Sequence, residues 1–256
     1  MSGPPVPGSL WLIPTPLGEV ADPKSCLPAD TLGVATGLDY FIAENARSAR
    51  AFLKRLDLPR PIQQIEIREL NEHTPDTALP ELLAPVLAGR SAGLLSEAGC
   101  PAVADPGAAL VALAHRHEVP VRPLIGPSSI LLALMASGLG GQAFSFAGYL
   151  PQQPDARLQA ARALEQRSAR SGETVLMIET PYRNQALFDT LVTGLSGESK
   201  LMVAASLSLP DQSIRTRSVA AWRAHPAQLD KVPTVFGLLA PKAASGYAGR
   251  PRGKSR

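Results

Sequence analysis

The segment 96–107, Ser-Glu-Ala-Gly-Cys-Pro-Ala-Val-Ala-Asp-Pro-Gly, directly follows a predicted buried strand and consists largely of small residues. Small residues let a ligand approach the backbone closely, and Asp105 can place an acidic cap at the start of the next helix. A second turn of small residues, at 125–129, opens another predicted helix. Together the two segments predict two loops that face one ligand pocket.

Charged side chains begin the helix that follows a second predicted strand. They recur at helical spacing, at Glu44, Arg47, Arg50 and Lys54. Such a stripe is typical of a solvated helix face, but Glu44 and Arg47 begin the helix at the carboxyl end of the strand and could face a cleft. Arg183 begins another predicted helix at an equivalent position. An arginine there can bind phosphate or pair with a nearby acid such as Glu179, and both alternatives stay open.

Short apolar runs bounded by Gly and Pro alternate with helix-period segments. The predicted strands are 10–13, 40–43, 92–95, 119–124, 143–149, 174–178, 200–206 and 234–239. The predicted helices lie near 45–56, 77–89, 107–117, 128–137, 155–170 and 182–195. This alternation predicts an α/β protein, and many of the 25 prolines directly follow predicted strands, where they would stiffen the loops that bind ligands.

Length and composition predict one or two globular domains, since the chain has 256 residues of which 45% are hydrophobic. A Pro/Gly break near 123–127 suggests a boundary, which divides an N-terminal domain, 9–124, from a C-terminal domain, 125–240. The Pro/Gly-rich start, 1–8, and the Gly/Arg/Ser-rich end, 241–256, are expected to be flexible.

Charge is distributed unevenly, because five of the 25 basic residues and none of the 22 acidic ones lie in the last sixteen residues. Residues 1–240 therefore carry a formal charge of −2, and the pI of about 9.0 reflects the tail. A near-neutral body argues against a large RNA footprint, whereas the tail offers sequence-independent attraction to polyanions. A purely solubilising tail is an equal alternative.

The sequence does not indicate a disulfide-rich, metal-binding, membrane-spanning or secreted protein. Cys26 and Cys100 form neither a disulfide framework nor a CxxC site, and the four histidines are dispersed, so we expect no metal site. The uncharged stretch 123–154 is interrupted by glycine clusters and is expected to be buried core, not a membrane span. With no signal peptide pattern at the N-terminus, we expect a cytoplasmic protein.

Six segments match, in order, the motifs of a known family. They are Leu12-Ile13-Pro14-Thr15-Pro16-Leu17-Gly18, Ala43-Glu44-Asn45-Ala46-Arg47, the segment 96–107, Ile125-Gly126-Pro127-Ser128, Phe146-Ala147-Gly148-Tyr149-Leu150-Pro151 and Ile178-Glu179-Thr180-Pro181-Tyr182-Arg183. Over about residues 9–240 the sequence resembles the class III, tetrapyrrole-methylase-like S-adenosylmethionine methyltransferases. Within them it is most similar to the branch that methylates ribose 2′-hydroxyls of bacterial small-subunit ribosomal RNA.

The resemblance implies a fold of two α/β domains with the binding cleft for S-adenosylmethionine between them, and a homodimer. It also implies residues that contact the methyl donor. These are Pro14, Ser96, Gly99, Cys100, Val103, Asp105, Ser128, Ser129 and Ile178.

This sequence departs from the family motifs at several positions. Glu97 and Ala104 replace an aspartate and a serine, Asn45-Ala46 replaces Asp-Thr, and Pro151-Gln152 lacks the family's arginine. Residues 207–212, Leu-Ser-Leu-Pro-Asp-Gln, stand where the rRNA enzymes have a TKLHEE-like stretch. The donor loops are retained while the expected substrate loops differ, which suggests a paralogue with the same chemistry and a different acceptor.

Methyl transfer to a ribose hydroxyl needs alignment of donor and acceptor and a group that accepts the hydroxyl proton. Glu44 and Glu97 are the candidates for that base, with Arg47 as a third catalytic candidate. Each also has a structural alternative, Glu44 as a salt-bridge partner and Glu97 as a loop or donor-contacting residue. We expect Arg50, Asn71 and Arg183 to contact the acceptor.

Three functions remain in view. The first is methylation of RNA, and of ribosomal RNA in particular. The second is methylation of a small tetrapyrrole-like acceptor, against which the first loop lacks the glycine-rich form of those relatives. The third is a non-catalytic protein that binds S-adenosylmethionine or associates with RNA, motivated by the altered Asn45-Ala46 and 207–212 segments.

Overall fold

The computed structural model describes residues 6–18, 20–229 and 231–242, and its contacts divide the chain into two units. The first unit comprises Met1–Leu132 and Leu207–Gln212, and the second comprises Ala133–Ser206 and Ser213–Arg256. The sequence places the boundary eight residues earlier, at 124/125, and does not assign 207–212 to the first unit. Of the ends predicted to be flexible, residues 1–5 and 243–256 lie outside the described residues.

The first unit contains a five-stranded, all-parallel sheet in the order β3-β2-β4-β1-β5. Its strands are β1 (Leu10–Ile13), β2 (Tyr40–Ala43), β3 (Glu66–Glu69), β4 (Ala92–Leu95) and β5 (Val121–Pro123). Its helices are α1 (Pro23–Cys26), α2 (Ala29–Gly37), α3 (Ala46–Leu53), α4 (Leu79–Leu87) and α5 (Ala108–Arg116), and α6 (Ser129–Ser137) crosses into the second unit. Short 3₁₀ helices lie at Ile62–Gln64 and Asp76–Ala78.

Both faces of this sheet are buried, which explains why its central strands are continuous apolar runs. Along β2, Tyr40 and Ile42 pack in one apolar cluster, while Phe41 and Ala43 pack in another. Four apolar residues of α3 and of the turn after it all lie in the second of these clusters: Ala49, Phe52, Leu53 and Leu56.

The second unit contains a mixed sheet in the order β6-β7-β10-β8-β9, in which only β6 and β7 are parallel. Its strands are β6 (Phe144–Tyr149), β7 (Thr174–Ile178), β8 (Lys200–Ala205), β9 (Ser213–Ser218) and β10 (Thr234–Leu239). Its helices are α7 (Pro154–Ser171), α8 (Asn184–Gly194) and α9 (Val219–Ala224), with a 3₁₀ turn at Pro181–Arg183. Phe188 and Trp222 meet edge to face in its core.

The predicted α/β class is confirmed by both units, and all eight predicted strands exist within one or two residues of the predicted ends. Strands β3 and β9 are absent from the predicted strands. The chain segments Glu66–Glu69 and Ser213–Ser218 carry charged or polar residues at alternate positions and therefore lack an apolar run. Within the described ranges, no helix combines the length and apolar character needed to cross a membrane.

Candidate functional site

Five loops of the first unit follow the carboxyl ends of parallel strands and therefore lie along one edge of the sheet. We call them the edge loops: residues 14–18, 44–45, 70–74, 96–107 and 124–128. They contain or adjoin every predicted site residue of this unit except the two on the exposed face of α3, Arg47 and Arg50. The parallel sheet thus brings together loops that are far apart in sequence.

The first and fourth of these loops are joined through their backbones. Thr15 and Gly99 form an isolated antiparallel bridge, in which the Thr15 amide donates to the Gly99 carbonyl at 2.9 Å and the Gly99 amide donates back at 3.1 Å. The Thr15 hydroxyl also donates to the Ser96 carbonyl at 3.3 Å. Gly99 has φ +78°, a conformation that only glycine adopts without strain, so this position requires glycine.

The loop after β5 packs against the same pair. The Cys100 thiol donates to the Pro127 carbonyl at 3.4 Å, and the Thr31 hydroxyl donates to the Ile125 carbonyl at 2.8 Å. A Cβ on Gly126 would lie only 2.4 Å from the Cβ of Pro14, so the two backbones approach closely. Three edge loops are therefore held in one arrangement before any ligand binds, which reduces the ordering cost of binding.

Segment 96–107 stores backbone strain. Ala102 and Ala104 have φ values of +64° and +66°, and Gly107 has φ +130°. Each left-handed alanine costs roughly 1–2 kcal/mol. Between the two alanines, Val103 is 48% exposed, which is unusual for a valine. Strain of this kind clusters at ligand-binding loops, where it fixes groups that must face a ligand.

Three carboxyl groups face one another among these loops. Burial, followed by the charges of Asp105 and Glu97, raises the pKa of Glu44, although a hydrogen bond from the Glu97 backbone amide opposes that rise. Burial also raises the pKa of Asp105, with the nearby Ser96 hydroxyl acting in the opposite direction. Glu97 accepts a hydrogen bond from the Ser48 hydroxyl at 2.8 Å. The edge is therefore locally acidic, and Glu44 holds its proton more tightly than an ordinary glutamate.

The residues present fit the donor that the resemblance implies. The positive φ of Gly99 fixes the loop beside the Thr15 bridge, and S-adenosylmethionine carries a sulfonium charge that the three carboxyl groups complement. Eight predicted donor contacts lie on the edge loops or at the first residue of α6: Pro14, Ser96, Gly99, Cys100, Val103, Asp105, Ser128 and Ser129. The ninth, Ile178, is the last residue of β7 in the second unit. Their role in donor binding stays a prediction.

The three residues expected to contact an acceptor differ in how far their side chains are already engaged by other groups of the protein. Arg50, like the catalytic candidate Arg47, is exposed on α3 and has no ion-pair or hydrogen-bonding side-chain partner among the described residues. The Asn71 side-chain oxygen accepts from the His73 amide at 3.0 Å and is used in its own turn. Arg183, in the second unit, pairs with the buried Glu179, at 2.6 Å from Nη2 and 3.0 Å from Nε. The acid-pairing alternative for Arg183 is therefore observed.

Sequence reasoning missed several residues that shape the edge. Thr15, Ser48 and Pro127 each make a contact described above, yet none stands out as a site residue in the sequence. A side chain on Gly18 would collide with Leu209, so the divergent segment 207–212 packs against the first edge loop. The Pro14-Thr15-Pro16 sequence could have indicated that Thr15 lies in a rigid loop at the site. The other contacts join residues that are too distant in sequence to be inferred.

Metal binding has no support in the part of the chain that the structure describes. There, no group of three or more His, Cys, Asp or Glu side chains is arranged to hold a metal ion.

Comparison with known proteins identifies the family. Residues 34–221 match the family model of the Tetrapyrrole (Corrin/Porphyrin) Methylases. A protein of Mesorhizobium japonicum named Ribosomal RNA small subunit methyltransferase I is 35% identical over 226 residues, which cover 88% of this chain and 72% of the relative. A Synechocystis protein of the same name is 32% identical, covering 78% of this chain and 67% of the relative.

Solved structures show the same fold at low sequence identity. The methyltransferase CobJ superposes with a TM-score of 0.60 at 14% identity, covering 91% of this chain and 94% of that one. Uroporphyrin-III C-methyl transferase from Thermus thermophilus, solved in complex with S-adenyl homocysteine, gives a TM-score of 0.56 at 16% identity, with coverage of 91% and 97%. The family and the curated relatives confirm the expected S-adenosylmethionine-dependent methyltransferase class. The chain belongs to the tetrapyrrole (corrin/porphyrin) methylase family.

Proposed function

We propose that this protein methylates small-subunit ribosomal RNA at a ribose 2′-hydroxyl in the cytoplasm, with S-adenosylmethionine as the methyl donor. The acceptor class rests on the shared name of the relatives, Ribosomal RNA small subunit methyltransferase I. The observation that carries the chemistry is the half-buried Glu44, which has a raised pKa and stands among the edge loops. A carboxylate in that position suits a hydroxyl acceptor, which must lose a proton.

The donor is proposed to bind against segment 96–103 and the neighbouring loops. When bound, S-adenosylmethionine supplies an electrophilic methyl group on a cationic sulfur. Pro14, Gly99 and Cys100 would line its backbone-facing side, and Ser128 and Ser129 would approach from the start of α6. The fixed Thr15–Gly99 bridge would hold this surface in place during the reaction.

Glu44 is proposed to act as the general base. Its carboxylate takes the proton of the ribose hydroxyl while the oxygen forms a bond to the methyl carbon and the carbon–sulfur bond breaks. The products are the methylated RNA, S-adenosylhomocysteine and a protonated Glu44. Glu97 donates its backbone amide to Glu44 and is braced by Ser48, so we assign it a positioning role.

Arg47 and Arg50 are proposed to bind acceptor phosphates. Both lie on α3, which begins next to Glu44, and both have guanidinium groups that are exposed and unpaired among the described residues. Arginine donors suit phosphate oxygens through charge-assisted hydrogen bonds. Asn71, on the neighbouring edge loop, is proposed to contact the acceptor through its amide nitrogen, since its oxygen is used locally.

A homodimer is proposed as the working assembly. Its support is an apolar pair at positions i and i+4 of α6, Leu131 and Met135, which are exposed although large and hydrophobic. Sedimentation velocity would show a dimer for the wild type and a monomer for Met135→Glu. A monomeric wild type at micromolar concentration would contradict this part of the proposal.

The function is tested with methyl-labelled S-adenosylmethionine and small ribosomal subunits from a strain that lacks the gene. We expect label in the ribosomal RNA, in a dinucleotide that resists alkaline hydrolysis, because a 2′-O-methyl group blocks the attack of the hydroxyl on the phosphate. Label in a base would refute the ribose assignment. Binding of S-adenosylhomocysteine without any label in RNA would refute the acceptor.

A further inference from the structure

An exposed tyrosine with a lysine beside its ring follows the carboxyl end of β7, outside the edge loops. Tyr182 is 81% exposed, although tyrosine is usually at least partly buried. The Lys231 ammonium lies 5.5 Å from the centre of its ring, and Arg183 is the next residue in sequence. We call Tyr182, Arg183 and Lys231 the aromatic–cationic platform.

Buried polar side chains hold this platform in place. The Glu179 side chain is 0% exposed and binds Arg183 through its Nε and Nη2 atoms. This leaves Nη1 of Arg183 without a hydrogen-bond partner among the described residues. Asn184 is also fully buried, and its side-chain amide donates to the Val232 carbonyl at 2.6 Å. This bond fixes the segment before β10 that contains Lys231.

This bracing costs stability, which indicates that the position of the platform matters. Glu179 Oε2 and Asn184 Oδ1 are buried and have no hydrogen-bond partner in the described ranges. A buried unpaired acceptor costs about 1–3 kcal/mol. A surface turn without a binding role could discard both groups, because apolar residues of similar shape would avoid this cost.

Charge favours a polyanion on this unit. Residues 133–206 and 213–256 carry 15 basic and 7 acidic side chains, whereas residues 1–132 and 207–212 carry 10 basic and 15 acidic ones. The formal charges are therefore +8 and −5. Five of the 15 basic side chains of the second unit lie in the last sixteen residues, and without those residues the unit still carries a formal charge of +3, so the near-neutral body combines an acidic first unit with a basic second unit.

Single-stranded RNA matches these features. Its unpaired bases stack on exposed aromatic rings and arginine planes, and lysine and arginine neutralise its phosphates. Tyr149 adds a second exposed aromatic ring at this edge, since it pairs in register with Ile178, the last residue of the parallel strand β7. A lysine beside an exposed ring, on a unit with more basic than acidic side chains, suits the bases and phosphates of a single strand better than it suits a protein surface.

We infer that the platform binds a single-stranded segment of the ribosomal RNA, with a base stacked on Tyr182 and phosphates bound by Arg183 and Lys231. This inference rests on the proposed function, because it assigns a binding surface for the same acceptor. It makes the second unit a contributor to acceptor affinity, while Glu179 acts as a positioning residue for Arg183.

The first test compares Tyr182→Ala with Phe144→Ala. Phe144 is a partly exposed aromatic residue at the start of β6, at the opposite edge of the same sheet. Binding of a fluorescein-labelled 20-nucleotide single-stranded RNA is measured by anisotropy, and methyl transfer is measured on unmodified small subunits. Since one stacked base contributes about 1–3 kcal/mol, we expect Tyr182→Ala to weaken RNA binding by roughly 5- to 150-fold.

The expected pattern is specific. Tyr182→Ala raises the KM for subunits and leaves kcat and the affinity for S-adenosylhomocysteine unchanged, Tyr182→Phe restores the KM, and Phe144→Ala has no effect. Equal RNA affinity and KM for Tyr182→Ala and wild type, in an active enzyme, would overturn the platform alone. Tyr182-dependent RNA binding without any methyl transfer by the wild type would overturn the proposed function and support the platform.

The second test separates the phosphate contact from general charge. Lys231→Ala is compared with Lys200→Ala, which removes an exposed lysine at the start of β8, at the opposite edge of the sheet. The slope of log K against log salt should fall by about 0.7 for Lys231→Ala, as expected for one lost contact to a single strand. Equal slopes for Lys231→Ala and wild type would contradict a phosphate at Lys231.

Discussion

The two units differ in the type of their sheet and in the groups that lie at the carboxyl ends of its parallel strands. In the first unit, all strands are parallel, so five loops lie at one edge, and three of them are held together by contacts such as the Thr15–Gly99 bridge. In the second unit, only β6 and β7 are parallel, and the notable feature at their carboxyl ends is an exposed aromatic ring with cations. The first unit carries a net negative formal charge, whereas the second carries a net positive one.

The net charge averaged over the whole chain therefore does not reveal that the two units differ in charge and in proposed role. The near-neutral body argued against a large RNA footprint, yet its charge is unequally shared between the units. Acidic loops suit a cationic donor and a proton acceptor, and a basic surface suits a polyanionic acceptor. We therefore assign the chemistry to the first unit and much of the acceptor affinity to the second.

The largest predicted effect separates chemistry from binding. Glu44→Gln removes the proposed base, so we expect kcat to fall by about 10²- to 10⁴-fold with RNA affinity unchanged. Glu118→Gln, which alters an exposed carboxylate before β5 at the opposite edge, serves as the control and should be fully active. A rate for Glu44→Gln within threefold of wild type would exclude Glu44 as the base.

The pH profile sharpens the same assignment. Glu44 must be ionised to accept a proton, so activity falls as pH drops through its pKa. Because burial and the neighbouring acids raise that pKa, the acid limb of kcat should lie above the ordinary glutamate value of about 4.3. The residual activity of Glu44→Gln should lack this limb, and an identical limb in both proteins would point to another group.

A smaller effect, on stability and on ligand affinity, is expected from adding a side chain at Gly99 in the proposed donor site. Gly99→Ala places a methyl group at φ +78° and 3.3 Å from Leu17, so we expect about 1 kcal/mol or more of lost stability and at least tenfold weaker binding of S-adenosylhomocysteine. Calorimetry measures both.

Gly33→Ala provides the matched control for that change. It lies inside α2, where a new Cβ meets nothing within 4 Å, and should stabilise the fold by roughly 0.5–1 kcal/mol without changing ligand affinity. Unchanged ligand affinity in Gly99→Ala would place the donor elsewhere.

The burial of Asp105 predicts a pH-dependent gain in stability from Asp105→Asn. Burial raises the folded-state pKa of Asp105, so its ionisation disfavours the folded state as pH rises. We expect the variant to be more stable than wild type by up to about 1 kcal/mol at pH 7, and equally stable near pH 3, where both folded and unfolded wild type are protonated at this site. Thermal unfolding at the two pH values checks this, and a variant less stable than wild type at pH 7 would contradict the cause given for the shift.

The smallest predicted effect concerns strain in segment 96–107. Ala104→Gly relieves a left-handed backbone, and we expect a gain of a few tenths of a kcal/mol, because the entropy cost of glycine offsets part of the relief. Chemical denaturation resolves the change. A marked loss of stability would mean that the Ala104 methyl group contributes packing that outweighs the strain.

Local pattern was sufficient to predict most of the fold. The apolar runs of β1, β2 and β4 and the stripe on α3 specify their own structure, because burial on both faces or on one stripe leaves a periodic signal. Helix α2 escaped prediction because its sequence, ADTLGVATG, contains two glycines and lacks a strong apolar stripe. Strand β9 escaped because its polar alternation resembles a loop.

The site was predictable in its residue types and less so in its contacts. Glu44, Gly99 and Cys100 could be selected because they follow strands whose ends must meet. The pairing of Cys100 with Pro127, and that of Ser48 with Glu97, joins residues 27 and 49 positions apart and depends on tertiary packing. The platform needed the structure, since only the fold places Lys231 beside Tyr182.

The most direct test of the division of labour measures single-turnover methyl transfer and RNA affinity for Glu44→Gln and Tyr182→Ala in parallel. We predict a crossed result, in which Glu44→Gln loses rate and retains affinity, while Tyr182→Ala loses affinity and retains its rate at saturating RNA. A shared loss of the same parameter in both variants would contradict the assignment of chemistry and acceptor binding to separate units.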